Sequence, residues 1–159
     1  MDDVSFSPES FAMPRDIVGR PMEILLVEDD LEDAGLTIEA LRTSEVPCRI
    51  SLVRDGEEAM EFLLRQQKYR RAPQPDLILL DLNLPKKDGR QVLAEVKDHD
   101  VLQRIPVVVL TASQTHREIL EAESLRVEDY LIKPVNLENF IAVVKSLRKD
   151  LLADVVLPP

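Results

Sequence analysis

The sequence has few of the residues that build common metal, redox and disulfide sites. Among its 159 residues there are one cysteine, two histidines and no tryptophan. A single cysteine, Cys48, excludes an intrachain disulfide and a cysteine-rich metal site, so we interpret it as a packing residue rather than a redox sensor. His99 and His116 are too few for a multi-histidine zinc site, and we assign neither a catalytic role.

The chain also lacks an excess of positive charge and any long apolar run. Thirty acidic residues against 20 basic residues give a formal net charge of −10 at pH 7. This balance disfavours binding to many nucleic-acid phosphates or to an anionic membrane surface. No apolar run approaches the roughly 20 residues that span a bilayer, and the acidic start does not resemble a signal peptide. We therefore expect one acidic cytoplasmic domain with no nucleic-acid or membrane partner.

What the sequence does contain is an alternation of strand-like and helix-like segments. Short aliphatic or alternating runs predict five strands, at residues 23–27, 49–53, 77–80, 107–110 and 130–132. Apolar residues three or four positions apart predict the core-facing sides of helices, including Leu31, Ala34, Ile38 and Leu41 in the first helix and Leu137, Phe140, Ile141, Val144 and Leu147 in the last. Five strands alternating with five helices predict an α/β fold with a parallel sheet covered on both faces.

Short polar patterns predict where several helices begin. The spacing of a capping box occurs at Asp55 with Glu58, at Asp88 with Gln91, and at Thr115 with Glu118. Asp30 directly precedes the first helical pattern. We interpret it as the cap of that helix rather than as a metal ligand.

Three segments lie outside the alternating pattern. Residues 1–21, with three prolines and no periodicity, predict a flexible leader before a domain that spans residues 22–151. Residues 152–159 form a short apolar tail, which either docks onto its own domain or forms a dimer contact. We interpret the basic segment from Arg65 to Arg71 as a solvated helix end rather than a binding patch.

Polar and charged side chains follow four of the five predicted strands. They are Glu28, Asp29 and Asp30 after the first strand, Asp81 after the third, Thr111 after the fourth and Lys133 after the fifth. The carboxyl ends of parallel strands meet at one edge of a sheet. We therefore expect these side chains to converge there.

The chemistry of these side chains is complementary. Clustered carboxylates repel one another unless one is protonated or a cation is bound, and an all-oxygen set of ligands suits Mg²⁺ or Mn²⁺. Lys133 can pair with Asp81 and with a phosphoryl oxygen, to which Thr111 can donate a hydrogen bond. A carboxylate nucleophile, a metal ion and a lysine predict phosphoryl transfer onto an aspartate.

Four segments carry a resemblance to a known family. In chain order they are ILLVEDD, LILLDLNLPKKDG, VVVLTAS and YLIKP, and they resemble the motifs of the response regulator receiver domain, the CheY-like family of two-component signalling. The resemblance covers about residues 22–151. It implies a flavodoxin-like, doubly wound, five-stranded parallel sheet of order 2-1-3-4-5 with five flanking helices. It also implies a phosphoprotein that signals through a conformational change and is not a multi-turnover enzyme.

Carried onto this sequence, the family pattern assigns a role to individual residues. Asp81 would be the phosphoacceptor. The ligands of Mg²⁺ or Mn²⁺ would be Glu28, Asp29, Asp81 and the backbone carbonyl of Asn83. The contacts of the phosphoryl group would be Thr111, Ala112 and Lys133, with Tyr130 as the aromatic switch and with a cis peptide bond before Pro134.

Further features are most similar to one group within the family. The basic segment and the stretches LDLNLPKKDGRQVLAEVK and RIPVVVLTAS are most similar to small stand-alone regulators that partner bacterial and cyanobacterial phytochromes. This similarity implies a phytochrome histidine kinase as phosphodonor and a tendency to form homodimers. Because few residues follow the last predicted helix, we expect the output to be an altered protein–protein contact rather than the activity of a second domain.

Two other functions are compatible with a similar sheet. A phosphatase of the haloacid-dehalogenase kind also places a nucleophilic aspartate after a buried strand. It needs a second aspartate two positions later as general acid, and here that position is Asn83. A flavodoxin-like redox carrier needs a phosphate-binding loop rich in Ser, Thr and Gly after the first strand, where this chain has acids.

Overall fold

The computed structural model describes residues 19–112, 127–147 and 155. Within these residues, five strands form one sheet in the order β2-β1-β3-β4-β5, and all neighbouring strands are parallel. The strands are β1 (Met22–Val27), β2 (Cys48–Val53), β3 (Leu77–Asp81), β4 (Val107–Thr111) and β5 (Asp129–Ile132). The predicted strands and their order are therefore confirmed.

Four helices flank the sheet in the described part of the chain. They are α1 (Leu31–Thr43), α2 (Gly56–Leu63), α3 (Gly89–Asp98) and α4 (Leu137–Ser146). The fifth predicted helix, with its capping pair Thr115 and Glu118, lies outside the described residues. No helix in the described ranges is both long enough and apolar enough to cross a membrane.

The sheet divides the hydrophobic core into two layers, because successive residues of a strand point to opposite faces. In β1, Ile24 and Leu26 belong to one layer together with Leu41 of α1 and Phe140 of α4. The alternate residues of β1, Leu25 and Val27, belong to the other layer. There they lie with apolar residues of α2 and α3, namely Phe62, Leu63, Val92 and Leu93. Both faces are covered, as the aliphatic strands predicted.

Two residues predicted to face the core are exposed. Leu31 is 58% exposed and Leu137 is 39% exposed, so the prediction was wrong for both. They are the first residues of α1 and α4, so each lies at the end of its helix. Periodicity alone does not show which turns of a helix pack against other elements.

The N-terminal caps agree with the sequence in two helices and differ in one. Asp30 caps α1 by accepting a hydrogen bond from the backbone N–H of Asp33 at 3.0 Å, and the box formed by Asp88 and Gln91 is complete in α3. At α2, Asp55 accepts from the N–H of Glu58, but Glu58 accepts from the N–H of Arg54. In the predicted capping box the side chain of Glu58 would accept from the N–H of Asp55, but it accepts from the preceding residue, Arg54.

The basic segment is anchored by a buried aromatic residue that sequence analysis did not single out. The ring of Tyr69 lies 5.1 Å from that of Phe62, and its hydroxyl donates a 2.6 Å hydrogen bond to Oε2 of Glu58. The arginines at 65, 70 and 71 are exposed, which agrees with a solvated segment.

One residue of the C-terminal tail packs against its own domain. Val155 forms a parallel β-bridge with Arg20 and is 7% exposed within the core layer of α1 and α4. The guanidinium of Arg20 in turn forms two hydrogen bonds, of 2.6 and 2.7 Å, with the carboxylate of Asp76. At Val155 the structure therefore matches docking, one of the two alternatives for the tail.

The same substitution at two positions of α1 measures the difference between its buried and exposed sides. Leu41 is fully buried, so Leu41→Ala should lower the free energy of unfolding by about 2–5 kcal/mol. Leu31→Ala should change it by no more than about 0.5 kcal/mol, because Leu31 already lies mostly in water. Urea denaturation of both variants checks this, and equal losses would contradict the assigned burial.

Candidate functional site

Three carboxylates converge at the carboxyl edge of the sheet. Glu28 and Asp29 directly follow β1, and Asp81 is the last residue of the neighbouring strand β3. One carboxylate oxygen from each residue lies within 4.8 Å of those of the other two. Glu28 and Asp81 are buried and Asp29 is partly exposed.

Lys133 supplies the positive charge that holds this cluster together. Its Nζ lies 2.7 Å from Oδ2 of Asp81 and 2.9 Å from Oε1 of Glu28. A third contact, of 3.0 Å, joins Nζ to Oδ2 of Asp33 in the first turn of α1. An ammonium group has three N–H bonds, so each can be donated to a different carboxylate.

Asp33 is a residue of this site that sequence analysis missed. It lies in the first turn of α1, close in sequence to Glu28 and Asp29. This short separation from the acids that follow β1 was the available signal. It could not be used, because nothing in the sequence shows that the first turn of α1 lies beside the end of β5.

Burial and charge act against each other in this cluster. Burial raises the pKa of Glu28 to about 7, an effect that the hydrogen bond from Lys133 opposes and the carboxylate of Asp81 increases. Burial would lower the pKa of Lys133, but its hydrogen bonds with the three carboxylates outweigh this and hold the pKa above its usual value. The lysine therefore stays charged at neutral pH.

Backbone groups fix the orientation of the acidic side chains. The N–H of Asn83 donates a 2.8 Å hydrogen bond to Oδ1 of Asp81, while Lys133 occupies Oδ2. The N–H of Asp30 donates a 3.3 Å bond to Oε2 of Glu28. Both oxygens of each buried carboxylate therefore have a donor.

The remaining predicted site residues lie at the ends of β4 and β5. Thr111 is buried and ends β4, Ala112 follows it and is exposed, and the N–H of Lys133 donates a 2.8 Å bond to the carbonyl of Thr111. The peptide bond between Lys133 and Pro134 is cis. Tyr130 is partly buried in β5 and packs against the core layer of α2 and α3.

The donor set suits a hard divalent cation. Glu28, Asp29 and Asp81 offer carboxylate oxygens, which with a backbone carbonyl are the ligands that Mg²⁺ and Mn²⁺ prefer. Lys133 already contacts two of these acids. A cation that binds there has to share those oxygens with the ammonium group.

Comparison with known proteins identifies a family for most of the chain. The family described as the response regulator receiver domain matches residues 24–145. Over 138 residues the chain is 47% identical to response regulator Rcp1 of Synechocystis sp., covering 87% of this chain and 94% of Rcp1.

Solved structures of related proteins have the same fold. The bacteriophytochrome response regulator RtBRR is 40% identical, with a TM-score of 0.75 over 80% of this chain and 78% of its own. The phosphorylated cyanobacterial phytochrome response regulator RcpA is 47% identical, with a TM-score of 0.68 over 87% and 99%. The Mn²⁺-bound form of Rcp1 is 47% identical, with a TM-score of 0.67 over 87% of this chain and 100% of its own.

Removing the ammonium group of Lys133 should leave the repulsion among the carboxylates uncompensated. Lys133→Met should lower the free energy of unfolding by about 2–4 kcal/mol, because buried carboxylates lose their counter-charge while Asp33 stays partly solvated. Mg²⁺ should restore more stability to this variant than to the wild type. Thermal unfolding with and without Mg²⁺ checks both effects, with Lys145→Met at an exposed position of α4 as the control of equal charge change. Equal Mg²⁺ stabilisation of variant and wild type would contradict the prediction.

Proposed function

This chain belongs to the response regulator receiver domain family, and on that premise we propose that Asp81 is the residue that accepts the phosphoryl group. The observation that carries the proposal is the geometry of its carboxylate. One oxygen is held by the N–H of Asn83 and the other by Lys133, beside the acids of β1. An oriented carboxylate with an ammonium group beside it is suited to attack phosphorus.

Glu28, Asp29, Asp81 and the backbone carbonyl of Asn83 are the proposed ligands of Mg²⁺ or Mn²⁺. Their support is the convergence of three carboxylate oxygens within 4.8 Å. A bound divalent cation would offset the negative charge that the phosphoryl oxygens bring to an acidic site.

Transfer forms a bond from phosphorus to an oxygen of Asp81 and breaks the bond from phosphorus to the donor, a histidine nitrogen in a kinase. We assign Lys133, Thr111 and Ala112 to the oxygens of the transferred group. Thr111 and Ala112 lie at the end of β4, the neighbour of β3, and Lys133 reaches Asp81 from the end of β5. Lys133 then exchanges its bond to Asp81 for one to a phosphoryl oxygen. Tyr130 is the proposed switch that responds to movement of Thr111.

A phytochrome histidine kinase is the proposed phosphodonor. RtBRR and RcpA, which resemble this chain over most of its length, are regulators of bacterial and cyanobacterial phytochromes. The output proposed is a change in protein–protein contacts, including those of a homodimer, made in the cytoplasm by the domain of residues 22–151. The leader of residues 1–21 and the tail of residues 152–159 flank it.

The phosphatase alternative is not favoured. Asn83 occupies the position at which that class needs an acidic side chain, and its backbone N–H donates to Asp81. The side-chain amide of an asparagine cannot donate and recover a proton at neutral pH. We therefore propose that the chain accepts one phosphoryl group and turns over no other substrate.

The central test is labelling with acetyl phosphate, followed by intact-protein mass spectrometry. The wild type should gain one phosphoryl group in a Mg²⁺-dependent reaction, and Asp81→Asn should gain none, because the amide cannot form an acyl phosphate. Asp98→Asn, at the end of α3, makes the same chemical change far from the site and should label normally. Undiminished labelling of Asp81→Asn would refute the assignment, and steady turnover of a phosphomonoester would favour a phosphatase.

A separate measurement tests the partner. A phytochrome histidine kinase phosphorylated on its histidine should lose that group to the wild-type chain within minutes and retain it with Asp81→Asn. An unrelated histidine kinase under the same conditions is the specificity control. Equal transfer from both kinases would count against a phytochrome partner while leaving Asp81 as acceptor.

A further inference from the structure

Apart from Asp81, which ends β3, the proposed ligands lie on two loops, and a third segment without any ligand touches both. The acid loop, residues 28–30, follows β1, and the acceptor loop, residues 82–88, follows β3. The edge strand β2 is followed by a spacer turn, which we define as Arg54, Asp55 and the first residue of α2, Gly56. We infer that the spacer turn sets the separation of the acid loop from the acceptor loop, and with it the affinity of the site for Mg²⁺.

The spacer turn holds the acid loop through the side chain of Arg54. Nη2 of Arg54 donates a 2.9 Å hydrogen bond to the backbone carbonyl of Asp29. The backbone of Arg54 is itself fixed, because its N–H donates to Oε1 of Glu58 in α2. The adjoining end of β2 adds a second tie, a 3.0 Å bond from the N–H of Glu28 to the carbonyl of Val53.

The spacer turn meets the acceptor loop at Gly56. A Cβ placed on Gly56 would overlap the carbonyl oxygen of Lys87 and lie 2.7 Å from its carbonyl carbon and its Cβ. Real Cβ atoms essentially never come this close to other atoms. Only glycine lets the backbone of the acceptor loop lie against the start of α2.

A second contact joins the same two segments beside Gly56. Nζ of Lys86 lies 3.6 Å from Oδ2 of Asp55, the residue that caps α2. Lys86 has a φ of 65°, in the left-handed region that non-glycine residues seldom adopt. The acceptor loop is thus bent toward the spacer turn at the two lysines.

A displacement of Lys87 would reach the ligands because the base of the acceptor loop is closed. The N–H of Gly89 donates a 3.0 Å bond to the carbonyl of Leu82, and a Cβ on Gly89 would lie 2.6 Å from the carbonyl oxygen of Asp81. Asn83, inside this closed loop, orients Asp81 through its N–H. The backbone of the acceptor loop is therefore constrained at its base, so a displacement of Lys87 also moves Asn83.

The inference rests on the proposed function, because it concerns the metal site assigned there. The first variant is Gly56→Ala, whose added methyl group pushes the acceptor loop away from the acid loop. Its dissociation constant for Mg²⁺, measured by isothermal titration calorimetry well below the unfolding temperature, should rise about ten-fold, as for other residues that support metal ligands. Gly35→Ala makes the same chemical change on α1, where nothing lies within 4 Å of the new methyl group. It should leave the dissociation constant unchanged.

The second variant acts on the other loop and also covers the case in which Gly56→Ala fails to fold. Arg54→Met keeps the apolar stem but removes the bond to the carbonyl of Asp29, and should raise the Mg²⁺ dissociation constant about three-fold. Removing a positive charge beside an acidic site would by Coulomb attraction alone tighten Mg²⁺ binding. A loss of Mg²⁺ affinity in Arg54→Met would therefore result from a change in the position of the acid loop and not from the lost charge. Arg49→Met, near the opposite end of β2, is the control of equal charge change.

Labelling by acetyl phosphate separates a displaced ligand set from general damage. In both spacer-turn variants the rate should fall most at low Mg²⁺ and recover toward the wild-type rate at saturating Mg²⁺. Variants that only lower the unfolding temperature, with Mg²⁺ affinity unchanged, would overturn the inference and leave the proposed function intact. A wild type that neither binds Mg²⁺ nor labels would overturn both.

Discussion

The structure depends on the sharing of one ammonium group among three carboxylates at the carboxyl edge of the sheet. Glu28 has no exposed surface and Asp81 very little, so neither charge is solvated by bulk water. Charges buried in this way persist only when hydrogen-bonded partners compensate for the lost hydration. Lys133 is that partner for both, and its third contact, with Asp33, ties α1 to the same centre. The group that stabilises the resting site is therefore also the one to which we assign a contact with the phosphoryl group.

The parallel order of the strands makes this sharing possible. Lys133 is 105 residues from Glu28 and 52 from Asp81 in the chain, yet each of the three stands where a strand ends. Neighbouring strands lie about 4.8 Å apart, and β4 separates β5 from β3. A side chain that reaches from β5 to the carboxylate of β3 has to be long, which is a reason for a lysine at this position. Because all five strands run parallel, their carboxyl ends lie at one edge of the sheet.

The edge strand β2 contributes to the site without entering it. Its last residues and the turn that follows touch the acid loop through Arg54 and the acceptor loop through Gly56. The capping of α2 belongs to the same arrangement, since Asp55 caps the helix and faces Lys86 while Glu58 fixes the backbone of Arg54. Tyr69 adds its hydroxyl to Glu58 and joins the basic segment to this helix start. The side chains of Asp55 and Glu58 therefore fix the start of α2 and also hold the spacer turn against the two loops.

The sequence by itself determined the alternation of strands and helices, because aliphatic runs and three-to-four spacing are local patterns that burial on two faces requires. It also determined which polar residues stand at the strand ends, since those positions follow directly from the strands. Tertiary structure alone decided that Leu31 and Leu137 are exposed, that Asp33 reaches Lys133, and that the backbone of Lys87 packs on Gly56. Each of these depends on how one element is placed against another that is distant in the chain. A local pattern records which side of an element is apolar, whereas the depth and angle at which elements meet are set by packing the whole core.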